Sequence, residues 1–135
     1  MEVSRYCLDT SAYSHFMRGA PDVVRIVERA EWVGMPAVTM GELYFGFLLG
    51  TRRAENEARL HEFLGHPVVE EVPFDGEVSR HFAEIVADLR RAGTPVPTND
   101  AWIAASAARV GATVLTYDPH FRLIGRVGSL VLDDV

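Results

Sequence analysis

The chain has 135 residues, of which 48% are hydrophobic, and a single cysteine. That length suits one domain with one sizeable core, and a lone Cys7 excludes both an internal disulfide and a cysteine-built zinc site. A net charge of −6 argues against a protein that coats nucleic acid by bulk attraction, and all 13 basic residues are arginine, so lysine chemistry is excluded throughout.

In chain order, "MEVSRYCLDTSAYS" contains no apolar leader core, and within it "SRYCLD" reads as a short buried strand that ends at Asp9. "PDVVRIVERAEW" opens a helix on Pro21, and "MPAVT" reads as the second strand. "MGELYFGFLLG" is a helix that is apolar almost all round, yet far too short to span a membrane. Next come the helix "RRAENEARLHEFLGH", the strand "VVEEVPF", and the helix "EVSRHFAEIVADLRRAG", which spaces Val78, Phe82, Ile85 and Leu89 before Gly93. After the loop "GTPVPTN", "PTNDAWIAASAARVGA" is a helix with Asn99 and Asp100 at its entrance, followed by the strands "ATVLTY" and "SLVLDD". Strand and helix alternate without a repeat or a linker. The order predicts a single α/β domain over residues 1–135, with a mainly parallel central sheet flanked by helices on both faces. A cytoplasmic protein with no membrane association is expected.

Four acids stand out by position. Asp9 ends the first strand, Glu42 follows the second, Asp100 opens its helix, and Asp118 lies just beyond "ATVLT". In a parallel sheet ligands gather at the carboxyl ends of the strands, and local structure alone directs Asp9, Glu42 and Asp118 there. Asp100 precedes its strand, so it reaches that edge only if its helix is tilted or starts over the sheet. Each acid also has a purely structural reading. Asp9, Thr10 and Ser11 would cap a helix, Thr39 and Glu42 form a capping box, Asp100 suits a helix dipole with Thr98 or Asn99 as the cap, and Asp118-Pro119 starts a turn. Four separate caps do not explain a cluster at one edge, and clustered carboxylates need raised pKa values or a cation.

Oxygen ligands favour a hard ion, Mg²⁺ or Mn²⁺, which activates water and stabilises charge on a phosphoryl oxygen. Thr10, Ser11, Asn99 and Thr116 are placed to orient the carboxylates. Of the five histidines only His120 falls beside an acid of this set. Phosphate-binding loops and receiver domains need a lysine that this chain lacks, and "DTS" has no second acid for a haloacid-dehalogenase phosphatase.

The segments "YCLDTSAYSHF", "VTMGELYFG", "PTNDAWIAASA" and "LTYDPHF", in this order and at these separations, resemble the PIN-domain ribonucleases, specifically the VapC toxins of bacterial toxin-antitoxin systems. The resemblance spans nearly the whole chain. It implies a PIN-like fold in which Asp9, Glu42, Asp100 and Asp118 form a catalytic quartet. Asp9, Asp100 and Asp118 would hold Mg²⁺ or Mn²⁺, with Thr10, Asn99 and Thr116 nearby. It also implies RNA as substrate, cut by a metal-activated water, and a cognate antitoxin as partner. Tyr117 stands where the family often carries Arg or Asn. The apolar helix needs cover on a second face, from another copy of the chain, from the antitoxin or from a neighbouring helix, and a homodimer is expected. Arg52 and Arg53 beyond it would meet RNA phosphates or an acidic antitoxin segment. The competing reading is a non-catalytic acidic module that binds a metal or a partner.

Overall fold

The computed structural model describes residues 4–133. In order the elements are β1 (Arg5–Leu8), α1 (Thr10–Met17), α2 (Pro21–Arg29), β2 (Trp32–Pro36), α3 (Ala37–Leu49) and α4 (Arg53–Leu64). There follow β3 (Val69–Val72), α5 (Gly76–Ala92), α6 (Thr98–Val110), β4 (Thr113–Thr116), a short 3-10 helix (Pro119–Leu123) and β5 (Ser129–Val131). The five strands form one sheet in the order β3-β2-β1-β4-β5, and every adjacent pair is parallel.

Alternation along the strands builds a core on each face. Cys7 and Val114 point to the layer formed by α5 and α6, while Leu8 and Leu115 point to the layer of α1, α3 and α4. Gly34 in β2 leaves room for the Trp32 ring and the Cys7 side chain of β1. A Cβ there would lie 2.5 Å from the Trp32 ring and 2.9 Å from Cys7 Sγ. No helix among the described residues is long and apolar enough to cross a membrane.

The strand order reverses beside β1. The chain runs outward through β2 and β3, then returns to place β4 on the other flank of β1. The carboxyl ends of β1 and β4 therefore border a crevice at a topological switch point, the usual ligand position in an open parallel sheet.

Three sequence expectations are corrected here. The second strand covers Trp32–Pro36 rather than "MPAVT", and Ala37, Val38 and Thr39 are helical. Pro36 ends the strand and stands at the N-cap of α3, and tertiary packing overrides the strand preference of Val38 and Thr39. The capping box is absent, because Thr39 lies inside α3 and its hydroxyl donates to the Leu8 carbonyl at 2.9 Å, leaving Glu42 free for other contacts. Asp134, the last residue of the fifth predicted strand, lies outside the described residues. The neighbouring helix does not cover α3 either. Leu43 is buried, yet Phe45, Leu48 and Leu49 remain 63%, 55% and 73% exposed.

Candidate active site

Asp9 closes β1 and caps α1, so it serves the helix and lines the switch point together. Its Oδ1 accepts the Ala12 backbone N–H at 2.9 Å and the Ser11 hydroxyl at 2.8 Å. Its Oδ2 accepts the Thr116 hydroxyl at 2.5 Å. The Thr116 oxygen in turn accepts the Asp118 N–H at 2.8 Å, and the Ser11 oxygen accepts the Tyr117 N–H at 2.9 Å. Two hydroxyls thus lash the end of β4 to the start of α1. Burial pushes the Asp9 carboxyl above its ordinary range, the hydrogen bonds from Thr116, Ala12 and Ser11 oppose the rise, and Asp118 adds to it.

Glu42 lies in the second turn of α3, beyond the first turn where the sequence puts it. Its Oε1 accepts the Thr10 hydroxyl at 2.8 Å and its Oε2 accepts the Asn99 side-chain amide at 3.2 Å. One carboxylate therefore joins the starts of α1 and α6. Of the four supporting residues named from sequence, Thr10 and Asn99 hold Glu42, and Ser11 and Thr116 hold Asp9.

Asp100 reaches the site because of where α6 starts. In a parallel sheet the helix before a strand runs antiparallel to it, so α6 begins at the carboxyl edge and ends at Val110, next to the start of β4. Neither Thr98 nor Asn99 caps this helix. The N-cap is Pro97, which has no side-chain bond to offer. Asp100 is not a cap either: α6 has no side-chain cap hydrogen bond, and the Asp100 Oδ2 is buried without a hydrogen-bond partner among the described residues. Its carboxyl is pushed up to about 7, first by burial, then by the neighbouring Asp118 carboxylate, and further by Asp9 and Glu42.

Asp118 caps the 3-10 helix, and its Oδ1 meets the His120 N–H at 2.9 Å and the ring Nδ1 at 2.8 Å. Asp100, Asp118 and His120 each offer a ligand atom, all within 4.8 Å of one another. An orphaned buried carboxylate oxygen, a second carboxylate against it and a ring nitrogen beside them fit a divalent cation. Arg53 pairs with Glu57 at 3.1 Å on the exposed side of α4, and Arg52 is exposed at the start of that helix.

Sequence spacing does not single out a second cluster beside these acids. The His15 and Tyr117 rings stack at 3.7 Å, and the Tyr117 hydroxyl donates to Asp22 Oδ1 at 2.7 Å. The residues come from α1, the end of β4 and α2, so no local pattern links them.

A parallel α/β domain with an acidic, cation-compatible cluster at its switch point is the class that this fold and site define. The comparisons narrow it: residues 6–127 match the PIN domain, and the chain belongs to that family, among its VapC members. It is 36% identical over 121 residues to Ribonuclease VapC4 of Mycobacterium tuberculosis, covering 90% of this chain and 92% of that protein. The fold superposes on VapBC-5, a member of the VapBC family of toxin-antitoxin systems from the same organism, with a TM-score of 0.74 and 30% identity, over 96% of this chain and 98% of that one. VapBC2 of Rickettsia felis, solved bound to a promoter DNA fragment, shares the fold at a TM-score of 0.83 and 21% identity, over 96% and 99% of the two chains.

Proposed function

We propose that the chain, acting as one domain over residues 1–135 in the cytoplasm, is a divalent-metal-dependent endoribonuclease and the toxin of a toxin-antitoxin pair. The observation that carries this reading is Asp100, whose buried Oδ2 has no donor among the described residues and whose carboxyl is crowded by Asp118. A structural cap would be satisfied. A ligand waiting for a cation would look like this one.

In this reading Asp9, Asp100 and Asp118 hold Mg²⁺ or Mn²⁺, and Glu42 completes the catalytic quartet. The bound cation supplies Lewis acidity, which makes water a nucleophile near neutral pH and offsets charge on a phosphoryl oxygen. The chain's own groups supply position. Thr116 and Ser11 fix the Asp9 oxygens, Thr10 and Asn99 fix those of Glu42, and His120 holds the Asp118 carboxylate in one orientation. The reaction adds water across one phosphodiester bond of RNA, leaving a phosphomonoester on one fragment and a hydroxyl on the other.

The naming of relatives as VapC ribonucleases and of structural neighbours as VapBC toxin-antitoxin complexes supports RNA as the substrate and an antitoxin as the partner. The bare apolar side of α3 supports a homodimer, since Phe45, Leu48 and Leu49 would otherwise face water together. Incubation of the purified chain with total RNA in Mg²⁺, in Mn²⁺ and in chelator tests the reading. Discrete fragments with metal and none with chelator are expected. Equal cleavage by wild type and Asp100→Asn would refute it.

A further inference from the structure

We infer that the His120 ring is a ligand of the divalent cation, and that its nitrogen makes the site prefer a first-row transition ion to Mg²⁺. The inference rests on the metal-dependent reading above and concerns which ion that site holds. Asp100, Asp118 and His120 are the groups whose ligand atoms come together, all within 4.8 Å of one another. Asp9 stands outside that trio, and each of its oxygens already accepts protein donors, Oδ1 from Ala12 and Ser11 and Oδ2 from Thr116. An oxygen of Asp9 can still join the set. The ring nitrogen is what changes its character.

The chain puts the ring there by local means. Asp118 caps the 3-10 helix, Pro119 opens it, and Phe121, which has no solvent exposure, pins it to the core. The His120 backbone N–H donates to Asp118 Oδ1 at 2.9 Å, and the ring Nδ1 lies 2.8 Å from the same oxygen. A carboxylate oxygen only accepts, so this ring contact needs a hydrogen on Nδ1. Two neighbouring ligands of an ion at about 2.1 Å are themselves about 3 Å apart. Nδ1 and Oδ1 already have that spacing, so a cation takes both as ligands, in place of the hydrogen between them, with little movement of either. That hydrogen passes through solvent to Nε2 and the imidazole stays neutral, for His120 is 54% exposed and no described residue bonds its Nε2. The backbone N–H keeps its own bond to Oδ1, so Asp118 stays oriented throughout.

A purely structural reading, an exposed histidine paired with an aspartate, accounts for less. Such a surface pair adds little stability. It does not explain why the ring also lies within 4.8 Å of a ligand oxygen of Asp100, whose buried Oδ2 has no donor among the described residues. Mg²⁺ is a hard ion that keeps oxygen ligands and water. Nitrogen-containing sites bind transition ions in the rising order Mn²⁺, Fe²⁺, Co²⁺. Two carboxylates and an imidazole therefore hold Mn²⁺ and Co²⁺ by three side chains where they hold Mg²⁺ by two.

The test uses the untagged full chain. Mg²⁺, Mn²⁺ and Co²⁺ are titrated by calorimetry into wild type, His120→Asn and His120→Gln, variants that keep the backbone bond to Asp118 and replace the ring by an amide. Proton NMR of the Co²⁺-loaded chain adds a direct readout, since the N–H of a coordinated imidazole resonates far outside the ordinary range and vanishes in heavy water. Wild type is expected to bind Co²⁺ most tightly and Mg²⁺ least. In the variants Co²⁺ affinity should fall at least about tenfold, Mn²⁺ affinity less, and Mg²⁺ affinity by no more than about twofold. The shifted N–H signal should be present in wild type and absent from both variants. A merely orienting histidine would weaken all three ions alike. That result, unchanged affinities, or a Co²⁺ spectrum of wild type without the shifted N–H overturns the inference, and the last of these does so even if neither variant folds. Wild type that binds these ions through His120 but cuts no RNA overturns the ribonuclease reading alone, and wild type that binds none of the three overturns both.

Discussion

Asp100 and Asp118 bring their carboxylates within 4.8 Å of each other, and the buried Asp100 Oδ2 receives no hydrogen bond from any described residue. One acid comes from the first turn of α6 and the other from the turn after β4, so the sheet edge itself creates the repulsion. A protein keeps such a pair only where something else offsets it, by a proton or by a cation.

Asp100→Asn tests what offsets it. In chelator the variant should melt no lower than wild type, because the repulsion is gone and no side-chain cap is lost. In Mg²⁺ the order should reverse, since a cation that binds the native chain stabilises it only while its ligands are complete. RNA cleavage should fall by at least about a hundredfold, the upper end of what loss of a mere supporting partner costs. Paired melting curves and one cleavage assay check this.

The same crowding sets a pH dependence in chelator. Asp100 titrates near 7 in the fold against 3.8 in an unfolded chain, so between those values the folded chain binds more protons. Its contribution to stability is complete below about pH 4 and is lost as pH rises through about 7. Asp9 is shifted the same way. The lowered acids Asp22, Asp75 and Asp88 act in the opposite sense: their contribution is present above pH 3.8 and is lost on acidification below it. Urea midpoints in chelator should therefore fall from pH 5 to pH 8 in wild type and stay flatter in Asp100→Asn. A wild-type midpoint that rises over that interval contradicts the assignment.

Thr116→Val keeps the shape and removes the hydroxyl. Asp9 Oδ2 loses its 2.5 Å donor and the Asp118 N–H loses its acceptor, at a position with no solvent exposure. A loss of about 1 to 3 kcal/mol is expected from groups left unpaired, with the Asp9 carboxyl rising further. Denaturant unfolding measures the first and carboxyl titration by NMR the second. An unchanged midpoint would show that water replaces the hydroxyl at no cost.

Phe45→Glu and Leu49→Glu each place a charge on the open side of α3. Both side chains are more than half exposed within one chain, so folding of the protomer should be nearly unaffected. Sedimentation at micromolar concentration should give a dimer for wild type and a monomer for each variant. A monomeric wild type would remove the homodimer from the reading.

Much of the architecture is written locally. Buried runs such as "ATVLT" and amphipathic runs such as "EVSRHFAEIVADLRRAG" reveal their own class, because side-chain periodicity decides which surface is buried, and their alternation entails a parallel sheet. The four acids are legible by the same logic, as residues at strand ends and helix starts. Local signals mislead where two elements meet. "MPAVT" reads as a strand, yet the chain turns helical after Pro36, and Thr39 turns from a supposed cap into a donor to Leu8 across the layer. The all-round apolar character of α3 is plain in the sequence, but which side stays open depends on where α1 and α4 come to rest. Only the tertiary structure could decide that Asp100 has no partner and crowds Asp118, or that Tyr117 stacks on His15 and bonds Asp22. Those relations join residues from separate elements through the strand order β2-β1-β4. Charge and burial at a point in space depend on everything folded around it, and periodicity along the chain carries no record of that.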